Sequence, residues 1–160
     1  MEVQIRKAKE QDIEEILKLL KQVLELHASL RPDLFISGTT KYTKEEVKEI
    51  LGNENTPVFV AVDEMDKVQG YAFCIMEYTQ GCINQKDRKT LYIDDLCVDE
   101  TLHGKHIGKA LYTFVVEYAK KMNCNDVTLH VWEGNTKARS FYEAMGMKIR
   151  KTQMEVSLEK

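Results

Sequence analysis

The chain of 160 residues is poor in proline, with two, and in tryptophan, with one, and it has no apolar run that approaches the length of a membrane span. Its first segment, MEVQIRKAKEQD, lacks the apolar core of a signal peptide. Neither charge dominates, because 23 basic residues stand against 26 acidic ones and the net charge is −3. These absences predict a cytoplasmic protein without a membrane partner and without a general attraction to nucleic acid.

The sequence also lacks the spacing of a metal site or of a disulfide framework. Its four cysteines, Cys74, Cys82, Cys97 and Cys124, form no CxxC pair, and the four histidines stand at no zinc-like distance from them. Three of the four cysteines lie in apolar or strand-like stretches, which is typical of buried free thiols. We therefore expect free cysteines and no bound metal.

What is present is the composition of a folded domain, with 43% hydrophobic and 31% charged residues. Repeats, low-complexity tracts and linkers are missing, so we predict a single domain over residues 1–160. Periodicity predicts a mixed α/β fold in the order β-α-α-β-β-β-α-β-α-β, with an antiparallel front half and a parallel strand–helix–strand unit behind it. The predicted strands cover 3–8, 57–62, 68–76, 91–98, 127–132 and 147–158, and the predicted helices cover 11–28, 43–51, 107–122 and 135–145.

The most informative segment is the connection between the fourth predicted strand and the helix that follows it. The strand ends in Leu96-Cys97-Val98, and the chain then passes through HGKHIGK at 103–109 into a long amphipathic helix. Free amide N–H groups at a helix start, together with the positive end of the helix dipole, form an anion site. Gly104 and Gly108 would let a phosphate approach the backbone. Taken alone, this pattern also fits a plain connection between a strand and a helix.

Two later segments complete a recognisable pattern. The chain reads LHVWEGN at 129–135 and FYEAMGMK at 141–148. Together with the segment 96–109, these motifs resemble those of the GNAT superfamily of acyl-CoA-dependent N-acetyltransferases, and the resemblance covers essentially the whole chain. It implies a GNAT-like fold, acetyl-CoA as co-substrate, transfer of the acetyl group to a primary amine, and no metal.

Two positions in the loop depart from the family pattern. The usual Gln or Arg is replaced by His103, and the first consensus glycine is replaced by His106. A side chain at position 106 stands where glycine normally allows a positive φ. We expect either a loop conformation that histidine tolerates or a looser fit to the diphosphate, in which the imidazole can also donate a hydrogen bond.

The resemblance also implies roles for individual residues. Leu96 and Val98 would offer backbone groups to the pantetheine arm, as an added strand does, and one of their amides or that of Cys97 would polarise the thioester carbonyl. Asn135 would hydrogen-bond the pantetheine, and Tyr142 would give a proton to the departing thiolate. The diphosphate would be held by the loop amides, which are those of His103, Gly104, Lys105, His106, Ile107, Gly108 and Lys109.

The base that deprotonates the amine stays open among several candidates. His130 is one, and its alternative role is that of a buried histidine satisfied by one hydrogen bond. Asp94 and Asp95 are two more, and a regular strand would place them on opposite faces unless a bulge shifts the register. Water is the remaining candidate. For Tyr142, the alternative to a catalytic acid is simple packing along the last helix.

Other interpretations of the same sequence are an acyl-CoA-sensing or interaction module without turnover, and a domain for another phosphate ligand. The second is disfavoured because the chain has neither a Walker loop nor GxGxxG. Asp33 and Phe35, in the linker between the first two helices, are candidates to line the acceptor site, as are Trp132 and Glu133. The sequence leaves the acceptor amine and the acyl length open, and homodimers are common in the family.

Overall fold

The computed structural model describes residues 2–160, in which five strands form one mixed sheet in the order β1-β2-β3-β4-β5. Strands β1 to β4 are antiparallel neighbours, and β5 runs parallel to β4. This arrangement confirms the mixed α/β class and the antiparallel front half. The elements are β1 (Gln4–Lys7), α1 (Ile13–Leu30), α2 (Lys44–Leu51), β2 (Val58–Val62), β3 (Val68–Thr79), β4 (Arg88–Val98), α3 (Ile107–Lys121), β5 (Asp126–Leu129) and α4 (Thr136–Ala144).

The chain forms two compact units, of which the first ends at His130 and the second is Val131–Lys160. The first unit holds the whole sheet with α1, α2 and α3, and the second holds α4. The single domain over 1–160 stays a prediction. Among the described residues, no helix has the length and apolarity that a bilayer crossing requires.

The predicted last strand, Met147–Leu158, is the one predicted element that is not found. Residues 147–160 have no regular secondary structure. A strand exists through hydrogen bonds to a neighbouring strand, and within residues 131–160 there is no second strand to pair with. Alternation of apolar and polar residues alone is therefore not sufficient to predict a strand here.

Local sequence signals explain where the helices begin and end. Helix α2 starts with a capping box, because Thr43 Oγ1 accepts from the Glu46 amide at 3.1 Å and Glu46 Oε1 accepts from the Thr43 amide at 3.1 Å. It ends at Leu51, the predicted last residue, and Gly52 follows as the C-cap. Helix α1 begins at Ile13, two residues after its predicted start at position 11, because a short 3₁₀ turn over Glu10–Asp12 precedes it.

The core lies on both faces of the central strands. One face of β2 and β3 packs against α1 and α2, and the main cluster there includes Ile16, Leu20, Val47, Tyr71 and Phe73. On β2, Phe59 makes edge-to-face contacts with the rings of Phe114 and Tyr118 from α3, at 5.0 and 4.9 Å. Strand β4 lies between β3 and β5 in the sheet, and it carries the candidate site.

All four cysteines are free, as predicted. Cys74 and Cys97 are buried, Cys124 is intermediate and Cys82 is exposed. Burial raises the pKa of the Cys74 thiol to about 12 and raises that of Cys97 as well. Both buried thiols are therefore protonated and poorly nucleophilic at neutral pH.

Gly70 lets β3 approach β4 closely beside the candidate site. A Cβ at this position would lie 2.7 Å from the Cys97 carbonyl oxygen and 3.1 Å from Leu111 Cδ1. We expect Gly70→Ala to lower the free energy of unfolding by about 1–3 kcal/mol, since overpacking forces the two strands apart. Urea denaturation measures the change.

The matched control is Gly52→Ala at the end of α2, where a new Cβ would meet only ordinary contacts at 3.6 and 3.8 Å. Its free energy of unfolding should stay within about 0.5 kcal/mol of the wild-type value. Equal losses for the two variants would show that the close approach at Gly70 has no special cost.

Candidate active site

A β-bulge in β4 shapes the candidate site. In the register with β3, Phe73 lies opposite Asp95 and Cys74 lies opposite Ile93, so Asp94 is the extra residue of β4. The sequence is compatible with two arrangements, a regular strand with the carboxylates on opposite faces or a bulge that shifts the register. The structure has the bulge.

Asp94 is held by the loop that joins α1 to α2. Tyr42 donates its hydroxyl to Asp94 Oδ2 at 2.6 Å, and the Lys41 ammonium lies 3.0 Å from Asp94 Oδ1. The Asp94 side chain is only 13% exposed, whereas that of Lys41 is 42% exposed. Burial, followed by the hydrogen bond to Asp94, raises the pKa of Tyr42, so this hydroxyl remains a donor.

Asp95 is held by the interior of the sheet instead. Tyr71 donates its hydroxyl to Asp95 Oδ2 at 2.8 Å. Burial raises the pKa of Asp95 to about 6, and the negative charge of Asp94 acts in the same direction, while Tyr71 and Lys41 oppose the rise. A carboxyl group with this pKa can take up and release a proton near neutral pH.

The two carboxylates belong to one cluster. The Tyr42 ring stacks on Phe73 with a centroid distance of 5.6 Å, and the Tyr71 ring meets Phe73 edge-on at 5.0 Å. Both tyrosines that donate to the carboxylates therefore pack on the same phenylalanine. The bulge brings Asp94 and Asp95 to one side of the sheet, where two adjacent carboxylates can bind and deprotonate a cationic amine.

The ionisation of Asp95 predicts a pH dependence of stability. Its pKa of about 6 in the folded protein lies above the ordinary value of 3.8, so folding favours the protonated form. The stability from this group is fully present below pH 3.8 and is lost as the pH rises through about 6. Between pH 4 and pH 7 we expect the wild-type protein to lose on the order of 2 kcal/mol of unfolding free energy relative to Asp95→Asn.

Urea denaturation of both proteins across that pH range measures the difference. Glu64→Gln, on the exposed turn between β2 and β3, controls for the general effect of removing a carboxylate. A constant difference between wild type and Asp95→Asn across the range would show that Asp95 ionises at its ordinary pKa.

The carboxyl-terminal part of β4 has one open edge within the first unit. Strand β5 pairs with β4 only from Thr90 to Ile93. Residues 95–98 pair with β3 on one side, and residues 94–98 have no strand partner on the other side among the described residues up to His130. An open strand edge can accept an extended ligand through backbone hydrogen bonds.

The segment after β4 leads to a helix start without a side-chain cap. Helix α3 begins at Ile107, and its first intrahelical bond runs from the Ala110 amide to the His106 carbonyl at 3.1 Å. The amides of Ile107, Gly108 and Lys109 precede that bond and so have no acceptor within the helix. These are three of the predicted loop amides, and they form the positive end of the α3 dipole.

His106 adopts the left-handed conformation, with φ 62° and ψ 17°, at the residue that precedes α3. The structure thus contains the positive φ that the family's glycine normally supplies, and histidine occupies it. Gly104 also has a positive φ, of 86°, and a Cβ there would meet no atom within 4 Å. Histidine tolerates this backbone conformation at a modest cost in strain, and the fit of the loop to a diphosphate stays a prediction.

The other departure from the family pattern, His103, has a defined contact. Its Nε2 lies 3.1 Å from the Val98 carbonyl oxygen. The imidazole therefore occupies one of the backbone groups that the resemblance implies for the pantetheine arm. Cys97 Sγ lies 3.7 Å from the same oxygen.

His130 directly follows β5, and its Nδ1 lies 2.7 Å from the Tyr92 hydroxyl of β4. The two rings meet at a centroid distance of 5.4 Å. His130 is exposed, so the predicted alternative of a buried histidine is wrong, although the single side-chain hydrogen bond that it assumed is present. Its Nε2 is the atom left to exchange a proton.

Asn135 and Tyr142 belong to the second unit. Asn135 precedes α4 and caps it, because Asn135 Oδ1 accepts from the Ala138 amide at 3.2 Å. This leaves the Nδ2 group as the donor toward a ligand. Tyr142 lies in α4 with its ring edge-on to Phe141 at 5.1 Å.

The remaining candidates have local partners. Asp33 accepts from Arg31 Nε at 2.9 Å and from Arg31 Nη2 at 2.7 Å, and the Phe35 ring lies 5.3 Å from that of His27. In the second unit, Trp132 is 37% exposed, and Glu133 lies 3.8 Å from an Arg139 nitrogen. From the same linker, Lys41 and Tyr42 contact Asp94 of β4.

Comparison with known proteins agrees with this architecture. Residues 20–147 match the model of the Acetyltransferase (GNAT) family. The chain is 29% identical over 154 residues to bovine thialysine N-epsilon-acetyltransferase, covering 90% of this chain and 83% of that protein. It is 33% identical over 66 residues to Arabidopsis thaliana glucosamine 6-phosphate N-acetyltransferase, covering 41% of this chain and 42% of that one.

A solved structure with high similarity is that of a mutant BH1408 protein from Bacillus halodurans. It is 35% identical, has a TM-score of 0.94, and the match covers 98% of this chain and 99% of the other. The chain described here belongs to the GNAT acetyltransferase family, and its fold is GNAT-like. Members of this family use acetyl-CoA as co-substrate. Among residues 2–160, no group of three or more His, Cys, Asp or Glu side chains could hold a metal ion.

Proposed function

We propose that the protein transfers an acetyl group from acetyl-CoA to a primary amine by direct attack. The observation that carries the proposal is the open edge of β4 at 94–98, which begins with the carboxylate pair and precedes the uncapped start of α3 along the chain. One strand thus connects a place for an amine to a place for a phosphate. The family and its acetyltransferase relatives support the same chemistry.

The donor would be bound mostly by backbone. The open edge of β4 fits an extended pantetheine arm, and the amides of Ile107, Gly108 and Lys109 fit a diphosphate. When bound, acetyl-CoA supplies an activated acetyl group on a thioester. An amide of Leu96, Cys97 or Val98 would donate to the thioester oxygen and stabilise the charge that develops there.

The acceptor would be an amine on the side of the sheet where the α1–α2 loop reaches β4. The Asp94 side chain is largely removed from solvent, so its negative charge is little screened and attracts an ammonium group. As the proposed base, Asp94 takes the proton of that group. The neighbouring Asp95, with its pKa of about 6, can receive that proton from Asp94. The bovine relative is named for acetylating the Nε amine of thialysine, which is consistent with an aliphatic primary amine as acceptor.

The chain's own thiol is a poor candidate for carrying the acetyl group. Cys97 lies on β4, but burial raises its pKa, and its Sγ contacts the Leu19 carbonyl oxygen at 3.8 Å. Direct attack by the amine therefore avoids the deprotonation of a buried thiol, which attack by Cys97 would require. Tyr142 would complete the reaction by giving a proton to the departing thiolate.

The alternative is an acyl-CoA-binding module without turnover, and the contact between His103 and the Val98 oxygen favours it. Because His103 already donates to the Val98 carbonyl, that group would be less available to bind the pantetheine arm. Both proposals require that CoA binds, and they differ only in whether CoA is released when an amine is present.

Donor binding is tested first by thermal denaturation with acetyl-CoA, CoA, ATP and NAD in parallel. We expect the CoA forms to raise the melting temperature, because ligands that bind only the folded state stabilise it. ATP and NAD should have little effect. Equal or greater stabilisation by ATP or NAD would contradict the assignment of the β4 edge and the α3 start to CoA.

A further inference from the structure

An amine of the protein already lies where the proposed acceptor would bind. Lys41 extends from the α1–α2 loop to the β4 bulge, where its Nζ lies 3.0 Å from Asp94 Oδ1 and 3.4 Å from the Asp94 carbonyl oxygen. Asp94 is the carboxylate proposed as the base. Within the protein itself, Lys41 therefore stands beside Asp94 as an acceptor amine would stand beside the base.

This ion pair differs from the other lysine ion pairs that the structure gives. The carboxylate partner of Lys41 is only 13% exposed. The carboxylates paired with the other lysines are at least 34% exposed and lie on the surfaces of helices or next to them. Those pairs are Lys18 with Glu15, Lys44 with Glu14, Lys48 with Glu10, and Lys120 with Glu117.

We propose that Lys41 is an internal acceptor and that the protein acetylates its own Lys41. This inference rests on the proposed acetyltransferase function. In the reaction, the Lys41 ammonium gives one proton to Asp94, and the neutral Nζ forms a bond to the acetyl carbon. Nζ then loses a second proton as the carbon–sulfur bond breaks, and the departing thiolate takes up one proton. Acetyl-CoA and the lysine ammonium thus become Nε-acetyl-lysine and CoA, with one proton left on Asp94.

The reach of the side chain is sufficient for this step. Asp94 precedes Leu96 by two residues, which is about 6.6 Å along a strand. Lysine carries its nitrogen on a flexible four-carbon stem, and the Lys41 side chain is 42% exposed and free to change rotamer. The proposal requires that Nζ leaves Asp94 by a change of rotamer and reaches an acetyl group bound at 96–98.

Acetylation would change the acceptor site. It removes the positive charge of Lys41 and with it the ion pair to Asp94. The carboxylate then becomes available to an external cationic amine. Conversely, a saturating external amine should compete with Lys41 for Asp94 and slow the self-acetylation.

The test is incubation of the purified protein with acetyl-CoA in the absence of any amine, followed by mapping of acetyl groups by peptide mass spectrometry. We expect Lys41 to be acetylated with a rate constant that is independent of protein concentration, as for an intramolecular reaction. Lys44 and Lys48 serve as internal controls and should stay unmodified. Asp94→Asn should slow the modification of Lys41 at least about tenfold, since the base is lost.

Lys44→Arg should leave the acetylation of Lys41 unchanged, whereas Lys41→Arg should abolish the modification. Equal acetylation of Lys41, Lys44 and Lys48 would overturn the inference, because it would indicate plain chemical modification by the thioester. An unmodified Lys41 in a protein that acetylates external amines would also overturn it and leave the proposed function standing. An unmodified Lys41 together with no acetylation of any external amine would overturn both.

Discussion

Replacement of Tyr142 by phenylalanine is expected to lower kcat about 100-fold or more while CoA binding is retained. The change removes one hydroxyl and keeps the ring that meets Phe141 at 5.1 Å, so helix α4 should persist. A thiolate that leaves without a proton donor is a poorer leaving group, and the loss therefore falls on the chemical step. Steady-state release of CoA measures kcat, and thermal stabilisation by CoA measures binding.

Tyr118→Phe is the matched control for this experiment. Tyr118 packs its ring against Phe59 at 4.9 Å, and we assign it no chemical role. Its loss should leave kcat within about twofold of the wild-type value. If Tyr142→Phe behaves like Tyr118→Phe, Tyr142 only packs α4, and the proton for the thiolate comes from water.

Replacement of Asp94 by asparagine should lower kcat/KM for the amine by about 100-fold or more. The variant keeps an oxygen that can accept from Tyr42, whose hydroxyl lies 2.6 Å from Asp94 Oδ2, so the local packing is maintained. It loses both the charge that attracts an ammonium group and the group that takes its proton. Initial rates at several amine concentrations separate the two losses into KM and kcat.

The exposed Glu77 of β3 provides the control, since Glu77→Gln removes a negative charge from the same sheet without touching the bulge.

His130→Gln tests whether His130, rather than Asp94, is the base. If His130 rather than Asp94 removes the proton, His130→Gln will abolish the limb of the pH–rate profile in which activity rises with pH. In that case, Asp94→Asn will leave the limb intact.

Much of the fold was predictable from the sequence because its signals are local. The Thr43–Glu46 capping box fixes the start of α2, and the change from strand-like to helical periodicity around 98–107 locates the loop before α3. Comparison of the motif with its usual glycine marked position 106 as one where the backbone needed an explanation, and His106 has a positive φ there. Each of these features depends on residues only a few positions apart.

The carboxylate cluster was predicted only in part, because its partners are distant in sequence. Lys41 and Tyr42 lie 53 and 52 residues from Asp94, and Tyr71 lies 24 residues from Asp95. A tyrosine inside an apolar strand is most simply interpreted as core, and nothing local indicates a buried carboxylate as its partner. Only the pairing of β3 with β4, including the bulge, brings these groups together.

The contacts of histidine were missed for a similar reason. The hydrogen bonds between Tyr92 and His130 and from His103 to the Val98 oxygen depend on side-chain direction, which residue spacing does not determine. The prediction of a last strand was wrong because a strand needs a partner as well as alternation. Tyr92 could have been singled out, since it stands two residues before Asp94 on the same strand.

The central claim is acetyl transfer, and the most direct test is the release of CoA from acetyl-CoA with and without a panel of aliphatic primary amines, with the product identified by mass. Beyond at most one CoA per protein chain from the acetylation of Lys41, we expect CoA release that requires the amine, with one acetylated amine formed for each further CoA. Hydrolysis without amine should be slow. Binding of acetyl-CoA with no amine-dependent release for any amine of the panel, and no acetyl group on Lys41, would contradict the account and leave a binding module.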